Sequence, residues 1–354
     1  MYPPTSKPFS LASRLFTGGD REMENWSSLV STDALEWLLK EDNPSVRYLT
    51  LRDLLDRGED DAEVREAKQR IMAVGVVPKV LAKQEPGGHW GEPEHFYQNS
   101  KYKGTVGNLI LLAELYADPA EERIRNACEF VLRWSQHRPS GGFSNRGSEE
   151  NGGHRSTLSC LTGNMLFALV RLGFKDDERV RKGFEWVSEH QRFDLGPYAN
   201  KEWPYQYDLC WRKHTCRSGA VKVLKAIAEV PPEQRTPGMR KKVEEGTEFL
   251  LAQRILYRPP ELKEISRKNW LEFGFPLMWN TDLVEILGVL GKLEARDDRI
   301  YEAIDIVLSK QGENGRWKQE NHFHGRFITA IETNGWDSKW VTLNALRALK
   351  ALSG

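Results

Sequence analysis

The chain has 354 residues, of which 39% are hydrophobic and 29% charged, with 51 basic residues against 51 acidic ones. That balance argues against a nucleic-acid binder, which shows a basic excess or stripe, and no apolar run is long enough to span a bilayer. Four cysteines in such a length do not make a disulfide framework, so reduced thiols in a cytoplasmic setting are expected.

In chain order, residues 1–30 read as an N-terminal leader. The first 25 of them hold Pro, Ser and Gly but no apolar segment of the secretory kind. Residues 31–354 then read as one domain of alternating helices. Amphipathic segments are expected near 33–39, 62–83, 120–135, 177–190, 237–252 and 298–310, with charge on one side and apolar residues on the other. Each is followed by a more apolar segment, near 45–55, 104–116, 158–172, 215–230, 276–293 and 338–352. These second helices are apolar over much of their circumference and should be buried. Pro44 after Asn43 suits a helix start.

The pairs repeat. A glutamine closes the amphipathic helix and a Gly-rich turn follows, as in Gln84 to Trp90, Gln136 to Phe143 and Gln311 to Trp317, with weaker copies at Gln191 and Gln253. One helix pair cannot bury its apolar face alone, so the pairs must stack. An open solenoid needs polar caps at both ends, yet the last helix, Trp340 to Leu352, is as apolar as the middle ones. The sequence therefore predicts an all-α, closed (α/α)6 toroid of six helical hairpins. Turns from inner to outer helices are short, whereas outer-to-inner loops are long and gather on one face. That face also receives the N-terminal ends of the inner helices, where partial positive charge collects. It is the expected place for a site.

The segment Asp208 to Gly219 concentrates metal-ligand chemistry. Cys210, His214 and Cys216 lie within it, and Cys160 begins the preceding inner helix, which should start beside it. Together they make a candidate Zn2+ site of three cysteines and one histidine, with Asp208 as an alternative fourth ligand or a catalytic acid. Core thiols, or a Cys210–Cys216 disulfide, are the competing readings; Cys128 reads as core. Asp282 is the acid most expected to face a central cavity, although an N-terminal-turn residue satisfying the helix dipole would look the same. Tyr102, Trp211, Trp279 and Trp336 lie in or beside long loops, as do Phe273, Phe275 and Trp340. They are candidates for an aromatic lining able to hold a cation, or for plain packing. Lys101, Lys103 and Arg155 are candidates for a phosphorylated group, or solvated loop charge. Glu92 and Glu94 are a candidate carboxylate pair of the kind glycoside-active enzymes use, and His322 and His324 are candidate metal ligands or a phosphate site, or exposed loop histidines.

With these motifs in hand, the chain resembles the squalene cyclase and prenyltransferase superfamily of α/α toroids. Ala303 to Trp317 is similar to the QW motif of triterpene cyclases. His214-Thr-Cys216 is similar to the segment that opens an inner helix in protein prenyltransferase β-subunits, where the histidine binds zinc, and Asp208-Leu-Cys210 resembles their Asp-x-Cys zinc pair. Cys160 to Asn164, Phe273 to Leu277 and Lys339 to Leu346 look like segments of bacterial stand-alone toroids. The Asp-x-Asp-Asp proton-donor motif of class II terpene cyclases is absent from the sequence. The resemblance implies a zinc-containing enzyme acting on a small hydrophobic or phosphorylated, isoprenoid-like substrate. A zinc-dependent ester or phosphoester hydrolase and a non-catalytic binding toroid are the alternatives.

Overall fold

The computed structural model describes residues 26–97, 101–194, 215–321 and 327–353. Among them the chain alternates between two layers. The outer layer holds α1 (Thr32–Leu38), the broken pair α3 (Ala62–Ala73) and α4 (Val76–Leu81), α6 (Glu122–Trp134), α8 (Glu178–His190), α10 (Pro237–Leu251) and α12 (Tyr301–Ser309). The inner layer holds α2 (Pro44–Leu49, continued by a π-helical turn), α5 (Thr105–Glu114), α7 (Ser159–Leu169), α9 (Arg217–Ala228), α11 (Leu283–Lys292) and α13 (Lys339–Ser353). Among the described residues, strand is confined to a two-stranded ribbon, β1 (Gly147–Ser148) with β2 (Gly152–Gly153), inside one long loop. The fold is the all-α toroid of six helical hairpins.

Local chemistry accounts for the element starts. Asn43 accepts from the Val46 amide at 3.2 Å ahead of Pro44, and Thr236 accepts from Met239 ahead of Pro237, so both prolines sit where no intrahelical donor is needed. Layer assignment follows side-chain distribution. Every residue of α5 from Thr105 to Ala113 is buried, whereas α6 buries only one stripe, including Ile124, Cys128 and Val131. Two expected helices are shorter in the structure. The 62–83 helix breaks at Val74, which is extended, and Gly75, whose φ is 84°. The inner helix expected from 276 begins at Leu283, because Met278 sits at a φ of 54° and Asp282 takes the extended N-cap conformation.

The recurring glutamine has a specific task. Gln136 Nε2 donates to the Gly141 carbonyl of its own turn at 2.9 Å and to the Arg179 carbonyl at the start of the next outer helix at 2.7 Å. Gln84 does the same with Gly88 and Arg123. Gly141 must be glycine: its φ is 83°, and a Cβ there would lie 2.4 Å from the Lys182 carbonyl oxygen. The tryptophans that follow are equally fixed, with Trp90 Nε1 donating to Val80 and Trp317 Nε1 to Val307.

Applied to the last repeat, the same bonds close the ring. Gln311 Nε2 donates to Gly315 and to the Leu29 carbonyl just before α1, so the outer helix that follows α12 in space is the first one. Along the inner layer, α5 packs on α7, α7 on α9, α9 on α11, α11 on α13 and α13 on α2. Ser45 on α2 donates to Leu115 after α5 at 2.8 Å, completing the circuit. Among the described residues, no helix is long and apolar enough to cross a membrane.

Candidate active site

The inner helices enclose an axial cavity of about 580 Å³. Its wall is divided. Phe275, Leu277, Val284, Val289, Val341 and Ala348 give it an apolar side, and Asp282 lies at the long-loop end of this region. Toward the opposite, short-turn end the lining becomes charged, with Arg52, Asp53, Glu114, Arg171, Lys225 and Glu229 on four inner helices. Tyr116, Lys292 and Arg347 join them there.

Asp282 is only 1% exposed. As N-cap of α11 it accepts from the Glu285 amide at 2.9 Å through Oδ1, and from the Gly274 amide at 3.0 Å through Oδ2. Those bonds favour the anion, but burial outweighs them, and the Glu285 carboxylate nearby adds to it, so the carboxyl is pushed up to about 7. Glu285 goes the other way. Burial alone would raise it, yet Lys222 Nζ donates to both its oxygens at 2.7 Å and Lys225 to one at 2.8 Å. The two lysines hold it at about 2. One turn of helix thus carries a carboxylic acid that keeps its proton near neutrality and a carboxylate that does not.

The charged end is a continuous ion-pair network. Lys225 also binds Glu114. Arg171 donates to both oxygens of Glu229 at 2.8 and 3.1 Å, and Lys292 reaches Glu229 at 2.7 Å. Arg52 and Arg347 both bind Asp53. Tyr116 stands among them: Arg52 Nη2 donates to its hydroxyl at 3.1 Å, and the guanidinium groups of Arg171 and Arg52 lie 4.4 and 4.7 Å from its ring centre. Burial would raise this phenol, but Arg171, Lys292 and Arg347 overcome that and bring it down to about 8.

Of the residues singled out from sequence, Asp282 and Phe275 line the cavity. Tyr102 is buried and stacks on Trp279 at 4.7 Å and on Phe327 at 5.1 Å, an aromatic packing cluster at the long-loop end. Trp340 stacks on Phe275 at 4.1 Å. Lys103, Arg155, Glu92 and Glu94 are exposed, and Lys101 begins the 3-10 turn that ends at Lys103. Trp336 is 71% exposed. Cys128 is buried on α6. The start of α9 lies against the Cys160 backbone, since a Cβ at Gly219 would lie 3.4 Å from the Cys160 nitrogen and 3.6 Å from the Cys216 Cβ. Asp208, Cys210, Trp211, His214, His322 and His324 lie outside the described residues. Among the described residues no three His, Cys, Asp or Glu side chains converge for a metal.

No known family profile matches the chain, and no curated protein matches it in sequence. Among solved structures it is similar to the GH76A alpha-1,6-mannanase from Salegentibacter sp. HEL1_6, at 13% identity over 92% of this chain and 98% of that one, with a TM-score of 0.49. It is similar to a family 76 glycoside hydrolase from a bovine Bacteroides thetaiotaomicron strain, at 12% identity over 96% of this chain and 75% of that one, with a TM-score of 0.48. It is also similar to the type II terpene cyclase MstE from Scytonema, at 12% identity over 81% and 97% of the two chains, with a TM-score of 0.30. At these values the likenesses carry no argument about chemistry.

Proposed function

We propose that this chain is an enzyme that uses Asp282 as a general acid on a largely hydrophobic, isoprenoid-like substrate held in the axial cavity. The observation that carries the reading is a buried carboxyl, pushed up to about 7, on the wall of that cavity. A protonated acid in an apolar site is what proton transfer to a weakly basic carbon or oxygen requires. Phe275, Leu277, Val284 and Val341 offer the apolar surface against which such a substrate would lie. The test is incubation with a panel of polyprenyl alcohols and phosphates in deuterated buffer, followed by mass spectrometry. Parent protein should incorporate deuterium or form a rearranged product, and Asp282→Asn should lose about 100-fold or more of that rate. Equal turnover by parent and variant would sink the reading.

A hydrolytic alternative draws on the divergence of Asp282 and Glu285, because an acid and a carboxylate with separated pKa values also serve glycoside hydrolysis. The double lysine clamp on Glu285 weighs against it, since that carboxylate is already occupied. Release of reducing sugar from an oligosaccharide panel, with no change in polyprenyl substrates, would favour this alternative.

The proposal includes one Zn2+ bound by Cys160, Cys210, His214 and Cys216, with Asp208 as the alternative ligand. The approach of the Cys160 backbone to the helix start that carries Cys216 is consistent with two of the four positions. Four protein ligands would close the coordination sphere and make the ion structural. Proton transfer would then rest with Asp282 alone.

A further inference from the structure

The charges around Tyr116 do not balance pairwise. Asp53 is shared by Arg52 and Arg347, and Glu229 is shared by Arg171 and Lys292. The remaining carboxylates are shared too: Glu114 pairs with Lys225 and, at 3.6 Å, with Arg171, and Glu285 binds Lys222 and Lys225. Across the network the six cations Arg52, Arg171, Lys222, Lys225, Lys292 and Arg347 therefore meet the four carboxylates Asp53, Glu114, Glu229 and Glu285, an excess of two at the short-turn end of the cavity. Cations at helix C-termini are ordinary, because they offset unpaired carbonyls. Here the carbonyls of Leu111, Leu112 and Ala113 on α5 already accept amides from the following turn. Nor does that explanation account for Tyr116 itself. It holds a φ of 56°, in the left-handed position after a helix that ordinarily selects glycine. Asp56, Gly173 and Glu294 hold the same left-handed position after other inner helices, and Tyr116 is the bulky residue among them.

We infer that this end of the cavity binds the dianionic phosphate group of a ligand whose apolar part lies toward Phe275 and Val341. The inference rests on reading the cavity as the substrate site and adds the chemical class of the substrate's head group. Two uncompensated positive charges match a phosphate monoester dianion. Arg347 presents a planar guanidinium able to grip two phosphate oxygens, and Lys292 a point charge beside it. The Tyr116 hydroxyl stands ready to donate to a third oxygen. The depressed pKa of this phenol, about 8, is a second sign that negative charge is stabilised at this spot. The phosphate site therefore lies at the opposite end from the loop residues Lys103 and Arg155.

Calorimetric titration of the full chain tests this with three probes: decyl phosphate, decanol and inorganic phosphate. Decyl phosphate should bind at least tenfold more tightly than decanol, and more weakly as salt is raised. Arg347→Gln and Lys292→Gln should each weaken decyl phosphate about tenfold and leave decanol unchanged. Lys292 has the more exposed side chain, 37%, so its variant should fold even if Arg347→Gln does not. Decyl phosphate binding should also raise the phenol titration of the protein, read at 295 nm, by about one unit. Inorganic phosphate binding as tightly as decyl phosphate, with the same loss in the variants, would keep the phosphate site and overturn its assignment to a head group. Decyl phosphate binding no better than decanol, or equally well in both variants, would overturn the inference. Binding is read without turnover, so the outcome is independent of whether Asp282 donates a proton.

Discussion

Replacing Asp282 by asparagine changes little in shape and removes one titration. Asparagine can still cap α11 through its oxygen. Its amide nitrogen, however, faces the Gly274 N–H where Oδ2 now accepts, which costs about 1–2 kcal/mol at any pH. The pH dependence is the informative part. A carboxyl raised from 3.8 to about 7 on folding binds its proton more tightly in the folded state than in the unfolded one. Its contribution to stability is fully present below the unfolded value and is lost as pH rises through the folded value. Across that window the loss is about 4 kcal/mol, at 1.36 kcal/mol per unit. About 3 kcal/mol of it falls between about pH 5 and about pH 9. Urea unfolding of parent and Asp282→Asn over that range isolates the effect, because titrations elsewhere are common to both proteins and cancel in the difference. The stability of the parent relative to the variant should fall by about 3 kcal/mol from the acidic end to the alkaline end. A difference constant to within about 1 kcal/mol would mean that Asp282 titrates as an ordinary carboxylate, and the general-acid proposal would fail with it.

Glu285→Gln strips the buried Lys222, 1% exposed, of the carboxylate its ammonium donates to and should destabilise the fold by about 3–5 kcal/mol in urea titrations. Gly141→Ala places a methyl 2.4 Å from a backbone oxygen at a φ of 83° and should cost at least about 1 kcal/mol beyond the usual benefit of alanine; equal or higher stability would contradict the turn geometry. Ultraviolet titration at 295 nm should find one phenol ionising near about 8, absent in Tyr116→Phe. Elemental analysis of protein purified without chelator should return about one equivalent of zinc, and Cys216→Ser should lose the metal and lower Tm. Less than about a tenth of an equivalent would return Cys160 and Cys216 to the core.

The ring was legible because its repeat is a bonding pattern as well as a composition. Gln84, Gln136 and Gln311 each bond a carbonyl of their own turn and one at the start of the next hairpin, whereas the weaker copies Gln191 and Gln253 bond Arg192 and Phe249. Asp282 was legible for the same local reason, as a short acid at an inner-helix start. Tyr116, Arg52, Arg171 and Glu229 were not. Arg52 has Asp53 beside it, but Tyr116 lies 64 residues from Arg52 and Arg171 lies 58 from Glu229, and only the ring brings them to one place. A signal was nevertheless present: charged residues inside otherwise buried helices, such as Lys222 and Lys225 on α9 and Glu285 on α11, are costly unless paired. The aromatic candidates have a different placement. Tyr102 and Trp279 stack on each other beside the long loops, and the axial cavity is lined by other residues.

The bond from Gln311 to Leu29 gives the molecule a property that open helical arrays lack: it has no first hairpin. Trp26 already lies under the Lys350 ammonium, 5.0 Å from ring centre to nitrogen. A short linker between these two positions would therefore add little strain, and the chain could be cut instead at an exposed connection such as the one around Arg296. Every permutant made this way would present the same circle of hairpins to the same axis. Which hairpin is synthesised first would then alter the order of assembly, with the final seam always formed by whichever pair the ribosome releases last.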